Sequence, residues 1–424
     1  MAPKKKLKPL NDEELVTNPI HRKSGIDTPW YKGWKHLTAD ERSIYRDRTL
    51  SSNLAKKQAE AGTGKKPVHE IYKPKLNLNE LMPQIKHHGY TSLSLFSGGG
   101  GMDLGFDKAG FKHLASYELL DFAADTIRLN RPLWEVHSGQ EGDVTKIDWK
   151  KYEGKVDVIH GGPPCQPFSV AGNQNGKEDP RDMFPQFVRC VDTVKPSIFI
   201  AENVAGLTQE KFSNYLNLTL IKPLSRYYDI HKFFVNAASF GVPQNRKRII
   251  FVGIRKGITK SKYVEPIQTH SFYHLLKEGS KQKKHEQLDL FSQLLPLAKK
   301  TMGVRQALGL PDIGIDFLSP TVRCALTGPR HTTSILSSVA ALKTWNCMQI
   351  WPNGVAQTRD KARAFVPVNL HYRLSVPECA LIQGFPEEWV FDGPVYKSLG
   401  QIGNAVPPPM SYAIAKSILG ILKN

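Results

Sequence analysis

Ser92-Leu93-Ser94-Leu95-Phe96-Ser97-Gly98-Gly99-Gly100-Gly101-Met102-Asp103-Leu104-Gly105 is the stretch from which the fold can be read. A short apolar run (Ser92–Phe96) enters four glycines, and a helix-like stretch follows at 103–112. Strand, glycine turn and helix in that order make the opening unit of an α/β domain. Glycines after a strand let the backbone approach a nucleotide-like ligand closely, with a helix N-terminus behind them. The spacing is not a strict GxGxxG, so it does not by itself imply a dinucleotide.

Outward from there the rhythm repeats. Leu114–Tyr117 runs into Glu118, Val156–Ile159 into Gly161, and Ser197–Ala201 into Glu202, with helix-like stretches at 121–130 and 183–194. Continuous apolar runs of this length suit strands buried on both faces of a mostly parallel sheet. Ligands of such sheets bind beyond the carboxyl ends of the strands, where all four turns would lie. Segments 230–239 and 248–255 read as a hairpin at the sheet's edge, and 410–422 as a last apolar helix. Glu118 follows Gly98 by twenty residues, where a carboxylate can hold the two hydroxyls of a ribose. Asp143, in Glu141-Gly142-Asp143-Val144, is placed to accept from an adenine amino group. Either acid alone reads as a solvated turn residue; the glycine loop and both acids in this order point to an adenosyl ligand.

Gly161-Gly162-Pro163-Pro164-Cys165-Gln166-Pro167-Phe168-Ser169 is a sharper motif. A structural cysteine more often sits inside a strand or helix as a small hydrophobe. Here two prolines stiffen the backbone ahead of a cysteine at the rim of the sheet, and core packing asks for no such run. Ala201-Glu202-Asn203-Val204 sets a carboxylate directly after an apolar strand. In Gln244-Asn245-Arg246-Lys247-Arg248 the two arginines lie one residue apart, on the same face of an extended segment.

Composition narrows the class. The chain has 424 residues, 40% hydrophobic, enough for a large domain and a smaller one. No apolar stretch approaches a membrane span. No secretory signal is expected behind Met-Ala-Pro-Lys-Lys-Lys, and Lys4–Lys6 reads as part of a basic tail. The five cysteines are scattered and lack CxxC spacing, which argues for a reducing compartment and against a disulfide framework or zinc cluster. Net charge is +19 and unevenly spread: residues 1–90 hold 18 Lys/Arg against 10 Asp/Glu, and residues 256–370 hold 16 against 7. Such localised surplus suits a polyanion-binding surface, because Lys/Arg on phosphates release counterions. The organisation expected is a basic N-terminal extension (1–90), a catalytic and cofactor-binding domain (91–255), an inserted domain without βα rhythm (256–370), and a C-terminal segment (371–424) that completes the catalytic domain.

Together these motifs resemble the ordered signature of the DNA cytosine-5 methyltransferases. The glycine loop, Pro-Pro-Cys-Gln, Glu-Asn-Val, Gln-x-Arg-x-Arg and Gly403-Asn404-Ala405-Val406 stand in that family's order. Asp179-Pro180-Arg181, and Arg373-Leu374-Ser375 through Gly384-Phe385-Pro386, fit the intervening motifs. Ser94 departs from the pattern, which often has an acid before Leu-Phe. The resemblance implies a Rossmann-like S-adenosylmethionine-dependent methyltransferase fold with a mostly parallel sheet, plus a smaller target recognition domain at 256–370. It implies S-adenosyl-L-methionine as cofactor and no metal. Cys165 would be the nucleophile, Glu202 the group at cytosine N3, Arg246 the holder of O2, and Arg248 the support of the thiolate loop. Phe96, Gly98, Gly100, Glu118, Asp143, Asn404 and Val406 would line the cofactor pocket. Gln166, Ser169, Arg323 and Arg330 are the candidate DNA contacts, since arginine is the commonest reader of guanine edges. The expected partner is double-stranded DNA with no membrane. The expected state is a monomer, cytoplasmic and nucleoid-associated, paired functionally with a restriction endonuclease. Three rivals stay in view: a tRNA cytosine-5 methyltransferase, whose usual Cys-Phe-Thr element is absent; a DNA-binding regulator without catalysis; and a plain Rossmann oxidoreductase.

Overall fold

Seven strands form the main sheet: β1 (Thr91–Leu95), β2 (Lys112–Glu118), β3 (Val136–Ser138), β4 (Val158–Gly161), β5 (Ile198–Val204), β6 (Tyr228–Asn236) and β7 (Lys247–Arg255). The computed structural model describes residues 71–164, 182–276, 298–324, 333–364 and 371–423, with Ala39, Asp40 and Ser43. The sheet order is β3-β2-β1-β4-β5-β7-β6. Its first five strands are parallel, and β7 runs antiparallel to both β5 and β6. The order explains the sequence pattern. Ile198, Phe199, Ile200 and Ala201 of β5 and Ile249–Val252 of β7 are all fully buried, as central strands covered on both faces must be.

Helices α1 (Gly101–Lys108), α2 (Asp121–Asn130) and α3 (Phe184–Val194) follow β1, β2 and β4. In α3, Phe184, Phe187, Val191 and Val194 recur at helical spacing and are completely buried with the sheet's core. Each such phenylalanine or valine contributes about 1.5–3 kcal/mol. A C-terminal helix, α4 (Pro408–Leu422), returns to α1, where Ser411 Oγ donates to the Met102 carbonyl at 2.8 Å. The expected edge hairpin is present as β6 and β7. The helix-like stretch 38–50 lies almost wholly outside the described residues.

The contacts divide the chain into two units, the larger comprising Tyr72–Ser319, Ala380–Gly393 and Asn404–Asn424. In the smaller unit, described within Pro320–Cys379 and Pro394–Gly403, strands Ile350–Ala356 and Tyr372–Ser375 pair in parallel. Ser338 Oγ caps the helix Val339–Cys347 by accepting from Ala341 N at 3.1 Å. Glu378 accepts from Ser375 N (2.6 Å), Ser375 Oγ (2.8 Å) and the Tyr372 hydroxyl, so Ser375-x-x-Glu378 forms the reciprocal half of a capping box. No helix among the described residues is long and apolar enough to cross a membrane.

Two buried polar groups sit between α1 and the sheet. His160 of β4 is completely buried, stacks on Phe106 with ring centroids 4.1 Å apart, and has a hydrogen-bond partner at neither ring nitrogen. Burial lowers its pKa to about 3, so it stays neutral. Asp103, in the first turn of α1, accepts from Ser116 Oγ at 2.7 Å through Oδ1, while Oδ2 has no partner. Burial raises the Asp103 pKa from 3.8 to about 6, against the opposing hydroxyls of Ser116 and Ser94. The folded state therefore binds more protons than the unfolded chain between those values, and stability falls as pH rises through that window. The cost above it is of order ~3 kcal/mol. Asp103→Asn keeps an acceptor for Ser116 and carries no charge, so it should be more stable than wild type at pH 7.5. At pH 4 the two should be nearly equal. Urea unfolding at both pH values reads this directly, and a stability difference independent of pH would contradict it.

Candidate active site

Among the described residues of the larger unit, the sequence-selected groups gather at one edge of the sheet. β1, β2, β3, β4 and β5 end there because they are parallel, and antiparallel β7 begins there, with Arg248 opposite Val204. The glycine loop, Glu118, Asp143, Gly161–Pro164, Glu202 and Arg246–Arg248 thus share a rim.

On one side of the rim, β1 turns through Phe96, Gly98 and Gly100, with φ of 56°, 54° and 80°. Positive φ is ordinary for glycine but costly for phenylalanine, and such strain concentrates at ligand sites. Glu118 braces the turn, its Oε2 accepting from Gly98 N at 2.7 Å and its Oε1 from Leu120 N at 2.9 Å. Burial raises the Glu118 pKa, and these backbone donors oppose the rise. Gly142 explains how Asp143 comes near: a Cβ there would meet the Glu118 carbonyl at 2.1 Å. Asp143 Oδ1 accepts from Thr145 N (3.1 Å) and Thr145 Oγ1 (2.7 Å), and Lys146 Nζ stands 3.3 Å from Oδ2. Slight burial works against its charge, but Thr145 and Lys146 outweigh that and hold the pKa below the usual carboxylate value.

The C-terminal segment closes on the same loop. A Cβ at Gly101 would meet the Val406 carbonyl at 2.3 Å, and Trp389 Nε1 donates to the Gly99 carbonyl at 3.2 Å. Val406 is buried and Asn404 exposed. At Gly98, by contrast, a Cβ would meet nothing within 4 Å. This is an open, backbone-lined cradle with two carboxylates beside it, and its donor set fits an adenosine-bearing ligand. Trp389 was missed in the sequence, where its only signal is an aromatic shortly after Gly-Phe-Pro.

On the other side, Glu202 Oε1 lies 2.7 Å from Arg248 Nε, with both side chains about a tenth exposed, at 10% and 11%. Burial lowers the Arg248 pKa and Glu202 opposes that. The register makes the pair: Arg248 faces Val204, and Glu202 is two residues along the same face. A Cβ on Gly162 would stand 3.0 Å from Glu202 Oε2, so the carboxylate touches the root of the Pro-Pro-Cys loop. Asn203 Nδ2 fastens that root by donating to the Pro163 carbonyl at 3.0 Å, a role the sequence did not reveal. Arg246, almost fully buried, donates from NH2 to the Ala405 carbonyl at 3.1 Å. Glu202 and Arg248 meet directly, whereas Arg246 meets the C-terminal segment.

Cys165, Gln166, Ser169 and Arg330 lie outside the described residues. Arg323 belongs to the smaller unit, half-buried, its amide donating to the Ile335 carbonyl at 3.0 Å. The four described cysteines form no disulfide; burial pushes the thiols of Cys190 and Cys379 well above their ordinary pKa.

Comparison with known proteins agrees with this arrangement. The family described as C-5 cytosine-specific DNA methylase matches residues 90–420. The chain is 33% identical over 341 residues to the Type II methyltransferase M.NgoMIV of Neisseria gonorrhoeae, covering 79% of this chain and 98% of that protein. It is 31% identical over 351 residues to the Type II methyltransferase M.Eco47II of Escherichia coli, covering 80% and 81%. In fold it is similar to a protein described as a DNA modification methyltransferase encoded within an E. coli prophage. That likeness has a TM-score of 0.50 at 24% identity, over 79% of this chain and 100% of the other. With a mostly parallel sheet, a glycine turn braced by Glu118 and a Glu–Arg pair at one rim, and a family match over most of its length, this chain belongs to the C-5 cytosine-specific DNA methylases and is a DNA cytosine-5 methyltransferase using S-adenosyl-L-methionine.

Proposed function

We propose that the chain methylates carbon 5 of a flipped cytosine within a specific duplex sequence, through a covalent adduct with Cys165, and so protects host DNA from a cognate restriction endonuclease. The observation that carries this reading is the Glu202 carboxylate, held by Arg248 and set against Gly162 at the root of the Pro-Pro-Cys loop.

Carbon 5 of cytosine is a poor nucleophile until a thiolate adds to carbon 6. Cys165 forms that S–C6 bond, and electrons move toward N3, where Glu202 supplies a proton or hydrogen bond. Arg246 holds O2, and Arg248 keeps the Glu202 carboxylate in place. Phe96, Gly98, Gly100, Glu118, Asp143, Asn404 and Val406 hold the cofactor, which supplies an electrophilic methyl on a sulfonium. Once carbon 5 carries the methyl, its proton passes to water, the N3 proton returns to Glu202, and the S–C6 bond breaks to release the Cys165 thiolate. None of these atoms is reachable within a duplex, so the base flips out at a cost of a few kcal/mol.

Residues 256–370 serve target recognition in this reading, with Arg323 and Arg330 at base edges or phosphates and Gln166 and Ser169 at the flipped site. Residues 1–90 add phosphate contacts. The Type II naming of the curated relatives supports the pairing with an endonuclease. The enzyme acts as a nucleoid-associated monomer.

Purified protein, radiolabelled S-adenosylmethionine and unmethylated duplex DNA give the test. Label should appear on carbon 5 of cytosine at one recurring sequence. If no duplex accepts label while the cofactor still binds, the reading moves to tRNA; transfer to scattered cytosines removes the protective role.

A further inference from the structure

The glycine loop has an open face and a packed one. At Gly98 a Cβ would meet nothing within 4 Å, whereas at Gly100 it would stand 2.9 Å from Trp389 Cζ2 and 3.1 Å from Ile127 Cγ1. Trp389 is buried, and its indole N–H donates to the Gly99 carbonyl at 3.2 Å, across 290 residues of chain. The other end of the same peptide unit, Gly100 N, donates to the Ser97 carbonyl at 2.9 Å. The Gly99–Gly100 peptide plane is therefore held at both ends. With glycine on either side no Cβ opposes its rotation, so those two hydrogen bonds set its orientation.

The indole is itself held. Arg131, the C-cap of α2, sets its guanidinium carbon 5.3 Å from the Trp389 ring centroid and 5.5 Å from that of Trp134. Its Nε and NH2 both donate to Asp107 Oδ2 of α1, at 3.1 and 2.9 Å. Asn130 exchanges two hydrogen bonds with the residue after Trp389, from Nδ2 to the Val390 carbonyl at 2.7 Å and from Val390 N to Oδ1 at 2.9 Å. Asp392 N donates to Thr126 Oγ1 at 2.8 Å. A planar cation against two indoles attracts both rings. Packing alone asks only for an apolar ring at 389. It does not ask for a donor that ends on the loop, nor for a cation at the ring.

We propose that Trp389 is a positioning residue for S-adenosylmethionine: its indole, steadied by Arg131, fixes the Gly99–Gly100 peptide and so the shape of the cradle that opens at Gly98. The proposal rests on the reading that this loop holds the cofactor. Without the indole N–H the peptide takes more than one orientation, and the cofactor binds only the fraction that is correctly set. Methyl transfer from the bound cofactor is unaltered.

The test uses full-length enzyme, calorimetry with S-adenosylhomocysteine, and kinetics with S-adenosylmethionine on unmethylated genomic DNA amplified in vitro. In Trp389→Phe, Kd for S-adenosylhomocysteine and KM for S-adenosylmethionine should each rise about tenfold, as for one lost hydrogen bond. Turnover at saturating cofactor and KM for DNA should keep their wild-type values, a split that a smaller folded fraction does not produce. Arg131→Lys keeps the charge beside Asp107 without the planar face, and should raise the same two cofactor constants about threefold. Added to Trp389→Phe, it should contribute less than its own factor. A full product of the two effects removes Arg131 from the tie. Glu118→Gln separates the premises, because it loosens the loop at Gly98 whatever Trp389 does. Weaker cofactor binding in Glu118→Gln, with wild-type cofactor constants in Trp389→Phe, overturns the role of Trp389 alone. Wild-type cofactor constants in both variants overturn the reading of the loop, and the proposal with it.

Discussion

Methyl transfer should fall by about 10²–10⁴-fold in Glu202→Gln, the range for losing a positioned proton donor. The stability changes around this residue separate chemistry from architecture. Glu202 and Arg248 meet at 2.7 Å with both side chains mostly out of water. A buried pair of this kind contributes little net stability, because desolvation of both charges offsets their attraction, yet removing one partner costs about 3–5 kcal/mol. Arg248→Met should therefore be destabilised by that amount, since the Glu202 carboxylate is left buried without its partner. The double substitution Glu202→Gln/Arg248→Met should regain most of the stability and none of the activity. Urea midpoints and single-turnover rates on the same four proteins measure both. A double variant no more stable than its parents would mean that the pair is part of the scaffold. Wild-type turnover in Glu202→Gln would remove Glu202 from the chemistry.

That pair also marks the limit of what a sequence discloses. Strands β1, β2, β4 and β5 are legible because two-sided burial writes them as apolar runs ending in glycine or acid. β3, three residues long at Val136–Ser138, is too short to leave such a run. Helix α1 begins at Gly101, two residues before the stretch read from sequence, because glycine is a poor helix former and hides the start. The chemical identity of Glu202, Arg246 and Arg248 is legible from motif order, but their partners are not. Sequence reading assigned Arg248 to the cysteine loop, which lies outside the described residues from Cys165 onward; that its guanidinium meets Glu202 follows from a β5–β7 register no local pattern encodes. Asn203 Nδ2 on the Pro163 carbonyl and Gln244 Nε2 on Gln383 Oε1 are likewise long-range hydrogen bonds, across 40 and 139 residues, made by side chains unremarkable in isolation.

Cys165→Ala should abolish methyl transfer, by about four orders of magnitude or more, while cofactor and DNA still bind. The argument begins with the other thiols. Cys190 and Cys379 are buried, and burial raises their pKa values well above the ordinary one, which leaves almost no thiolate at neutral pH. Cys347, though exposed, and Cys324, half-buried, lie in the smaller unit, apart in sequence from the motifs at the rim of the sheet. Cys165 follows directly on Pro163 and Pro164, and Asn203 and Glu202 hold the start of that segment. A nucleophile needs such a support, because misplacement by about 1 Å can cost about 10²-fold. Duplex DNA carrying 5-fluorocytosine makes the bond itself visible. After the thiolate adds and the methyl arrives, carbon 5 has fluorine and no proton to lose, so the S–C6 bond cannot break. Wild type should then form a denaturant-stable complex with this DNA, dependent on S-adenosylmethionine, and Cys165→Ala should form none. A trapped peptide containing another cysteine, or an active Cys165→Ala enzyme, would require a different nucleophile.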